Sequence, residues 1–125
     1  MTTDKKSYTI LMTGAGGFLG FHIAKLLIEA GHQVTNFSRS HHSKLNQLNI
    51  KTIQGNLSSL SDIENIFKEH IFDTVIHVAA KVGMWGRFND FYDVNVLGTE
   101  NLIKMSKSNN IKRFIFTSSP SVIFG

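Results

Sequence analysis

The chain has 125 residues, of which 42% are hydrophobic and 18% charged, with ten Gly and one Pro; that is enough for one compact core and leaves little room for a second domain. It contains no Cys, which excludes disulfides and thiolate metal sites, and no apolar run approaches the roughly 18 residues of a membrane span. The formal net charge of +4 raises nucleic acid as a partner, but Lys and Arg are scattered and the aromatics are mostly Phe inside apolar runs, so no nucleic-acid partner is expected.

The start, Met1 to Tyr8, is polar, and the apolar stretch from Thr9 is cut at Gly14. That is too short for the core of a signal peptide, so a cytoplasmic location is expected. Short β-rich runs then alternate with stretches of helical period, the pattern of βαβ units and a parallel sheet. Strands are expected at Tyr8 to Thr13, Gln33 to Ser38, Lys51 to Gln54, Thr74 to Ala79 and Lys112 to Ser118. Phe18, Ile23, Leu26, Leu27 and Ala30 recur as one helix, with Gly31 as its stop. Ser40 to Asn49 reads as an irregular link. A second helix runs from Leu60 to Lys68 with Ile63, Ile66 and Phe67 on one face, capped by Ser59 or Ser61. The longest helix is expected from Phe88 to Ser108, broken by Asn109 and Asn110. The apolar runs of the fourth and fifth strands suit burial on both faces. Together these elements predict a doubly wound Rossmann-type α/β sheet of order 3-2-1-4-5, which places its ligand beyond the carboxyl ends of the strands.

Thr13-Gly14-Ala15-Gly16-Gly17-Phe18-Leu19-Gly20 joins the first strand to the first helix. Gly14 permits the tight turn, Gly17 lets a pyrophosphate approach the backbone, and Gly20 lets helix and strand pack closely. The N–H groups of the helix start, at Phe18 and Leu19, face the anion. Strand before and helix after are the context that makes a glycine pattern a dinucleotide fingerprint. No Gly-Lys-Ser/Thr ending follows, so the turn is not a nucleoside-triphosphate P-loop.

The three-residue spacing of Gly14, Gly17 and Gly20, with Leu19 where the standard fingerprint has its last Gly, resembles the signature of extended short-chain dehydrogenases/reductases of the epimerase/dehydratase type. Gly55-Asn56-Leu57, His77-Val78-Ala79-Ala80, Asn95-Val96-Leu97-Gly98-Thr99 and Phe114-Ile115-Phe116-Thr117-Ser118-Ser119 continue the resemblance along the whole chain. It implies that Asn56, standing where Asp is usual, and Leu57 contact the adenine. It also implies that Ala79 and Ala80 admit the dinucleotide across the sheet edge, although small residues there equally suit tight strand packing. Asn95 is implied in the proton relay, and Ser119, with Ser118 as its rival, in holding the substrate oxygen. His77, alone inside an apolar strand, reads as a packed and hydrogen-bonded residue, and the six His have no metal-ligand spacing.

An NAD enzyme normally offers Asp or Glu at the end of the second strand. Here Asn36-Phe37-Ser38-Arg39-Ser40 offers none, and Ser38 with Arg39 suits a ribose 2′-phosphate, so NADP is the expected cofactor with NAD as the alternative. His41, His42 and Lys44 add positive charge without an assigned role. The general acid implied by the resemblance, the Tyr of Tyr-x-x-x-Lys, is absent: Tyr8 and Tyr92 are followed four residues later by Met12 and Val96. The chain therefore reads as the N-terminal part of a longer enzyme, inactive alone and prone to self-association through an apolar edge after the fifth strand. Lys81 to Gly86 and Ser118 to Val122 most resemble the 3β-hydroxysteroid dehydrogenase branch. They imply hydride transfer to or from a carbonyl or secondary alcohol of an apolar small molecule, with Trp85 either lining the pocket or packing under the long helix. A nucleotide-sugar epimerase or dehydratase and a non-catalytic cofactor-sensing module are the alternatives.

Overall fold

The computed structural model describes residues 6–79 and 96–118. In chain order these form β1 (Thr9–Thr13), α1 (Phe18–Glu29), β2 (Gln33–Ser38), α2 (Ser43–Asn46), β3 (Lys51–Gln54), α3 (Leu60–Glu69), β4 (Thr74–Ala79), α4 (Gly98–Ser108) and β5 (Arg113–Ser118). The five strands are all parallel in the order β3-β2-β1-β4-β5, the Rossmann order read from the sequence. Strand bounds agree to within one residue. The part of the long helix expected before Val96 lies outside the described residues.

Successive strand side chains point to opposite faces, and this alternation sorts the core into two layers. Ile10 and Met12 of β1 and Ile76 and Val78 of β4 pack on one face with Ala24 of α1 and Leu45 of α2. Leu11 and Val75 point the other way, to Phe37, to Ile63, Ile66 and Phe67 of α3, and to Leu102 of α4. Each face is thus covered by its own pair of helices, which keeps a parallel sheet out of water.

Both helix ends anticipated from turn residues are built as expected. After α1, Gly31 takes φ 94°, and its N–H and that of His32 donate to the Ile28 and Leu27 carbonyls at 3.0 Å. After α4, Asn110 takes φ 57°, and the Asn110 and Ile111 N–H groups donate to Lys107 and Ser106. These are Schellman closures, one using Gly and one Asn to reach the left-handed region. Ser59, not Ser61, caps α3 by accepting from the Asp62 N–H at 3.3 Å.

Three expectations are corrected. The Ser40 to Asn49 link is not wholly irregular: it contains α2, held by the fully buried Leu45. On α1 the buried line is Gly20 and Ala24, while Phe18 and Leu26 face solvent at 83% and 66% exposure. The close approach of this helix to the sheet is made by small residues, and the larger ones flank it. Finally, the burial on both faces expected of the fifth strand does not hold: Ile115 and Phe116 of β5 are 46% and 52% exposed, on a strand with β4 as its one sheet neighbour among the described residues, in line with the apolar edge also expected there.

Asn110 is in a conformation that glycine adopts without a Cβ penalty and a β-branched residue resists. Asn110→Gly should leave stability equal or up to about 1 kcal/mol higher, and Asn110→Val should lower it by at least about 1 kcal/mol, read from urea midpoints at constant slope.

Candidate dinucleotide site

The strand register brings Thr13, Ser38, Gln54 and Ala79 to one end of the sheet. There the glycine turn is shaped by two exclusions. Gly14 has φ 78°, and a Cβ on it would lie 2.5 Å from the Val78 carbonyl oxygen. A Cβ on Gly20 would overlap the Gly14 carbonyl itself. Only glycine at both positions lets α1 begin hard against the end of β1.

Gly17 is the N-cap of α1 and its own N–H donates to the Gly14 carbonyl at 3.1 Å. The Gly17 carbonyl receives the first helical bond, from Phe21 at 2.8 Å. The intervening N–H groups of Phe18, Leu19 and Gly20 have no intrahelical acceptor, and neither a capping side chain nor an acidic residue in the first turn serves them. By contrast α3 has both, in Ser59 and Asp62. Among the described residues, the start of α1 therefore keeps its donors and the positive end of its dipole available to an anion.

A residue given no role from sequence holds this turn in place. Asn36 of β2 is fully buried; its Oδ1 accepts from the Ala15 N–H at 3.3 Å, and its Nδ2 donates to Ser38 Oγ at 3.2 Å and Thr52 Oγ1 at 3.3 Å. A buried Asn in an apolar strand needs such partners, which is the signal that could have marked it. Ser38 Oγ in turn donates to the Ser40 carbonyl at 2.6 Å. Arg39 is exposed, with no carboxylate partner among the described residues, and its carbonyl accepts from Gln54 Nε2 at 3.3 Å.

Asn56 lies past β3. Its Oδ1 accepts from both the N–H and the hydroxyl of Ser58, at 2.9 and 2.8 Å, which leaves its amide N–H₂ without an acceptor among the described residues. The Leu57 carbonyl accepts from Asn101 of α4 at 3.0 Å. Gly55 before them is required by packing, since a Cβ there would lie 2.5 Å from the ring of the buried Phe37. Ala79 ends β4 opposite Ser118 of β5. Ala80, Trp85, Asn95 and Ser119 lie outside the described residues.

His77 is packed and hydrogen-bonded. It is 1% exposed, with Nδ1 2.6 Å from Thr13 Oγ1 and Nε2 2.9 Å from Thr99 Oγ1. Thr13 Oγ1 also accepts from the Val78 N–H at 3.2 Å, and among the described residues Nδ1 is the one acceptor for its buried hydroxyl hydrogen. Thr13 therefore donates to Nδ1, and the Nε2–H donates to Thr99. Protonating the ring would strand the Thr13 hydrogen. Burial acts in the same direction and pushes the imidazole pKa down to about 4. The chain Thr13–His77–Thr99 ties the residue before the glycine turn to α4.

The model of the NAD dependent epimerase/dehydratase family matches residues 10–125. The chain belongs to that family. It is 39% identical over 113 residues to a 2-alkyl-3-oxoalkanoate reductase of Stenotrophomonas maltophilia, covering 90% of this chain and 34% of that protein. Human short-chain dehydrogenase/reductase family 42E member 1 is 35% identical over 121 residues, 94% of this chain and 30% of the relative. A 3-beta-hydroxysteroid dehydrogenase of Mycolicibacterium neoaurum is 31% identical over 124 residues, 93% and 33% of the two chains. The chain thus spans about a third of the length of these curated relatives. Among solved structures, UDP-glucose 4-epimerase of Thermotoga maritima with UDP-glucose superposes with TM-score 0.81 at 28% identity, over 94% of this chain and 40% of that one. The Bifidobacterium longum enzyme in complex with NAD+ and UDP gives 0.79, also at 28% identity, over 90% and 37%.

Two outcomes follow from this geometry. Gly20→Ala should cost at least about 2 kcal/mol in urea denaturation, since the new methyl meets backbone and not a movable side chain. His77 protonates near pH 6.5 when unfolded and near 4 when folded, so between those values only the unfolded chain takes up its proton. Stability should then fall as pH drops through that window, by about 2 kcal/mol from His77 between pH 7 and pH 5. His77→Asn should flatten this part of the profile.

Proposed function

We propose that the chain is the dinucleotide-binding part of a longer, cytoplasmic NADP-dependent dehydrogenase/reductase that acts on a carbonyl or secondary alcohol of an apolar substrate. The observation that carries this reading is the start of α1, closed by Gly14 and Gly20 and left without cap or acid, beside a β2 end where Arg39 stands in place of an acid. These residues fit a dinucleotide: uncommitted N–H groups suit a pyrophosphate, and an exposed guanidinium suits a ribose 2′-phosphate. The curated relatives support the substrate class, since their names specify an alkyl-bearing 3-oxo acid and a 3β-hydroxysteroid.

In this reading Phe18, Leu19 and Gly20 hold the pyrophosphate through their N–H groups, with Gly17 giving it access. Arg39 meets the adenosine ribose beside Ser38, whose hydroxyl would have to turn from the Ser40 carbonyl to join it, and the Asn56 amide and Leu57 backbone meet the adenine. Ala79 and Ala80 leave room where the cofactor crosses the sheet edge. Asn95 and Ser119 order the proton relay and hold the substrate oxygen. When bound, the nicotinamide supplies or accepts the hydride. These 125 residues contain no Tyr-x-x-x-Lys, so the chain alone binds cofactor without turnover. The exposed Ile115 and Phe116 on β5 support self-association of the chain.

Calorimetric titration should show tighter binding of NADPH than of NADH, and Arg39→Asp should weaken NADPH binding by about tenfold or more while sparing NADH. Equal affinity of the parent chain for both cofactors would overturn the NADP assignment. In a protein extended to the length of its relatives, nicotinamide oxidation with long-chain 3-oxo acids or ketosteroids supports the reductase. Conversion of UDP-hexoses with no net change in cofactor supports the epimerase instead.

A further inference from the structure

Four basic residues follow β2 within a short span: Arg39, His41, His42 and Lys44. Their place in the chain alone does not distinguish them, but their contacts do. Lys44 lies over the Phe21 ring, 4.7 Å from its centroid, and is committed to α1. His41 Nε2 is paired with Asn46 Nδ2 at 3.3 Å on the exposed side of α2. His42 instead turns toward the glycine turn. Its ring sits on Gly16 so closely that a Cβ on Gly16 would lie within 2.6 Å of Cδ2 and Cε1 and closer still to Nε2.

This placement is anchored. His42 is the N-cap residue of α2, its carbonyl accepts from the Leu45 N–H at 3.0 Å, and Leu45 is fully buried in the core layer beneath α1. The imidazole makes no capping bond to α2, so its ring nitrogens are not spent on the helix. The imidazole is thereby held against the glycine turn, in the segment that follows Ser38 and Arg39 in the chain.

We propose that His42 is a specificity-determining residue for the adenosine end of the cofactor: its imidazole, seated on Gly16, donates a hydrogen bond to the ribose 2′-phosphate opposite Arg39. This rests on the NADP reading above. It also assigns a reason for glycine at position 16 that the fingerprint spacing does not supply, namely room for the His42 ring. Arg39 brings charge from an exposed and adaptable side chain, whereas His42 brings a donor seated against the glycine turn, on a backbone anchored by Leu45.

The test is a double-mutant cycle on the 125-residue chain, read as dissociation constants for NADPH and NADH, with folding of each variant checked by circular dichroism. His42→Ala should weaken NADPH binding by about tenfold and change NADH binding by less than about twofold. Gly16→Ala, which keeps the imidazole but pushes it off the turn, should weaken NADPH binding in the same way. The double variant should be little worse than either single one. His42→Asn, which keeps a side-chain donor and an N-cap residue, gives a second reading should His42→Ala not fold, and should lose less than the alanine variant. Unchanged NADPH binding in the His42 variants of a parent that prefers NADPH overturns the His42 assignment and leaves the NADP reading standing. Tighter binding of both cofactors after His42→Ala also overturns it, because the ring would then be an obstruction. A parent that binds NADPH no better than NADH overturns both.

Discussion

The contact on which the rest of the site depends is that between the Gly14 carbonyl and Gly20, six residues on. A helix that begins directly after a strand has to pass its first turn over the peptide that ends the strand. With any side chain at position 20 the two could not meet, since a Cβ would overlap the Gly14 oxygen. The contact fixes where the N–H groups of Phe18 and Leu19 point, because the first turn has no freedom to tilt away. It also explains why the buried line of α1 is made of Gly20 and Ala24, with larger residues flanking it. An anion-binding site made of backbone alone has no side chain to adjust its aim, so the aim has to come from packing of this kind.

The turn is further held from below by two buried polar side chains that approach from different strands. Asn36 of β2 takes the Ala15 N–H, and His77 of β4 takes the Thr13 hydroxyl. Each would be costly in an apolar layer if its partners were missing, so each makes one arrangement of the turn much better than its neighbours. They also divide the available donors. The Ala15 N–H goes to Asn36 and the Gly17 N–H to Gly14, and the donors of the first helical turn are among those left over.

How far this was legible in the sequence depended on whether a feature was local. The strands, the fingerprint glycines and the stops at Gly31 and Asn109–Asn110 rest on periodicity or on a single residue's backbone preference, and both are visible in one dimension. The role of Asn36 was not, because its partners Ala15 and Thr52 are brought to it by the sheet order. The reason for Gly16 was likewise hidden, since the ring it accommodates belongs to His42, across the β2 crossover. Helix α2 escaped because four residues carry too little periodicity to register, and it exists through the burial of Leu45. Phe18 and Leu26 mark the helix by their period yet face solvent, because the close approach at Gly20 leaves space against the sheet only for small groups.

The two ends of the sheet show the same economy in opposite senses. At the amino-terminal ends of the strands the polar groups are committed to one another. Asp73 accepts from the Thr9 N–H at 3.0 Å and lies 4.0 Å from the Arg113 guanidinium. That guanidinium lies 4.2 Å from the centroid of the Tyr8 ring, and Tyr8 stacks on His32, whose Nδ1 accepts from the Tyr8 N–H. Burial acts to raise the Asp73 pKa, but the bonds from Thr9 and Thr74 and the nearby Arg113 outweigh it and hold the carboxyl below its ordinary range. At the carboxyl ends, the first-turn donors of α1, the Arg39 guanidinium and the Asn56 amide hydrogens remain uncommitted among the described residues. A fold that closes one end with an ion pair and ring stacking, and places its glycines so that the other end stays open, has its binding side decided before any ligand arrives.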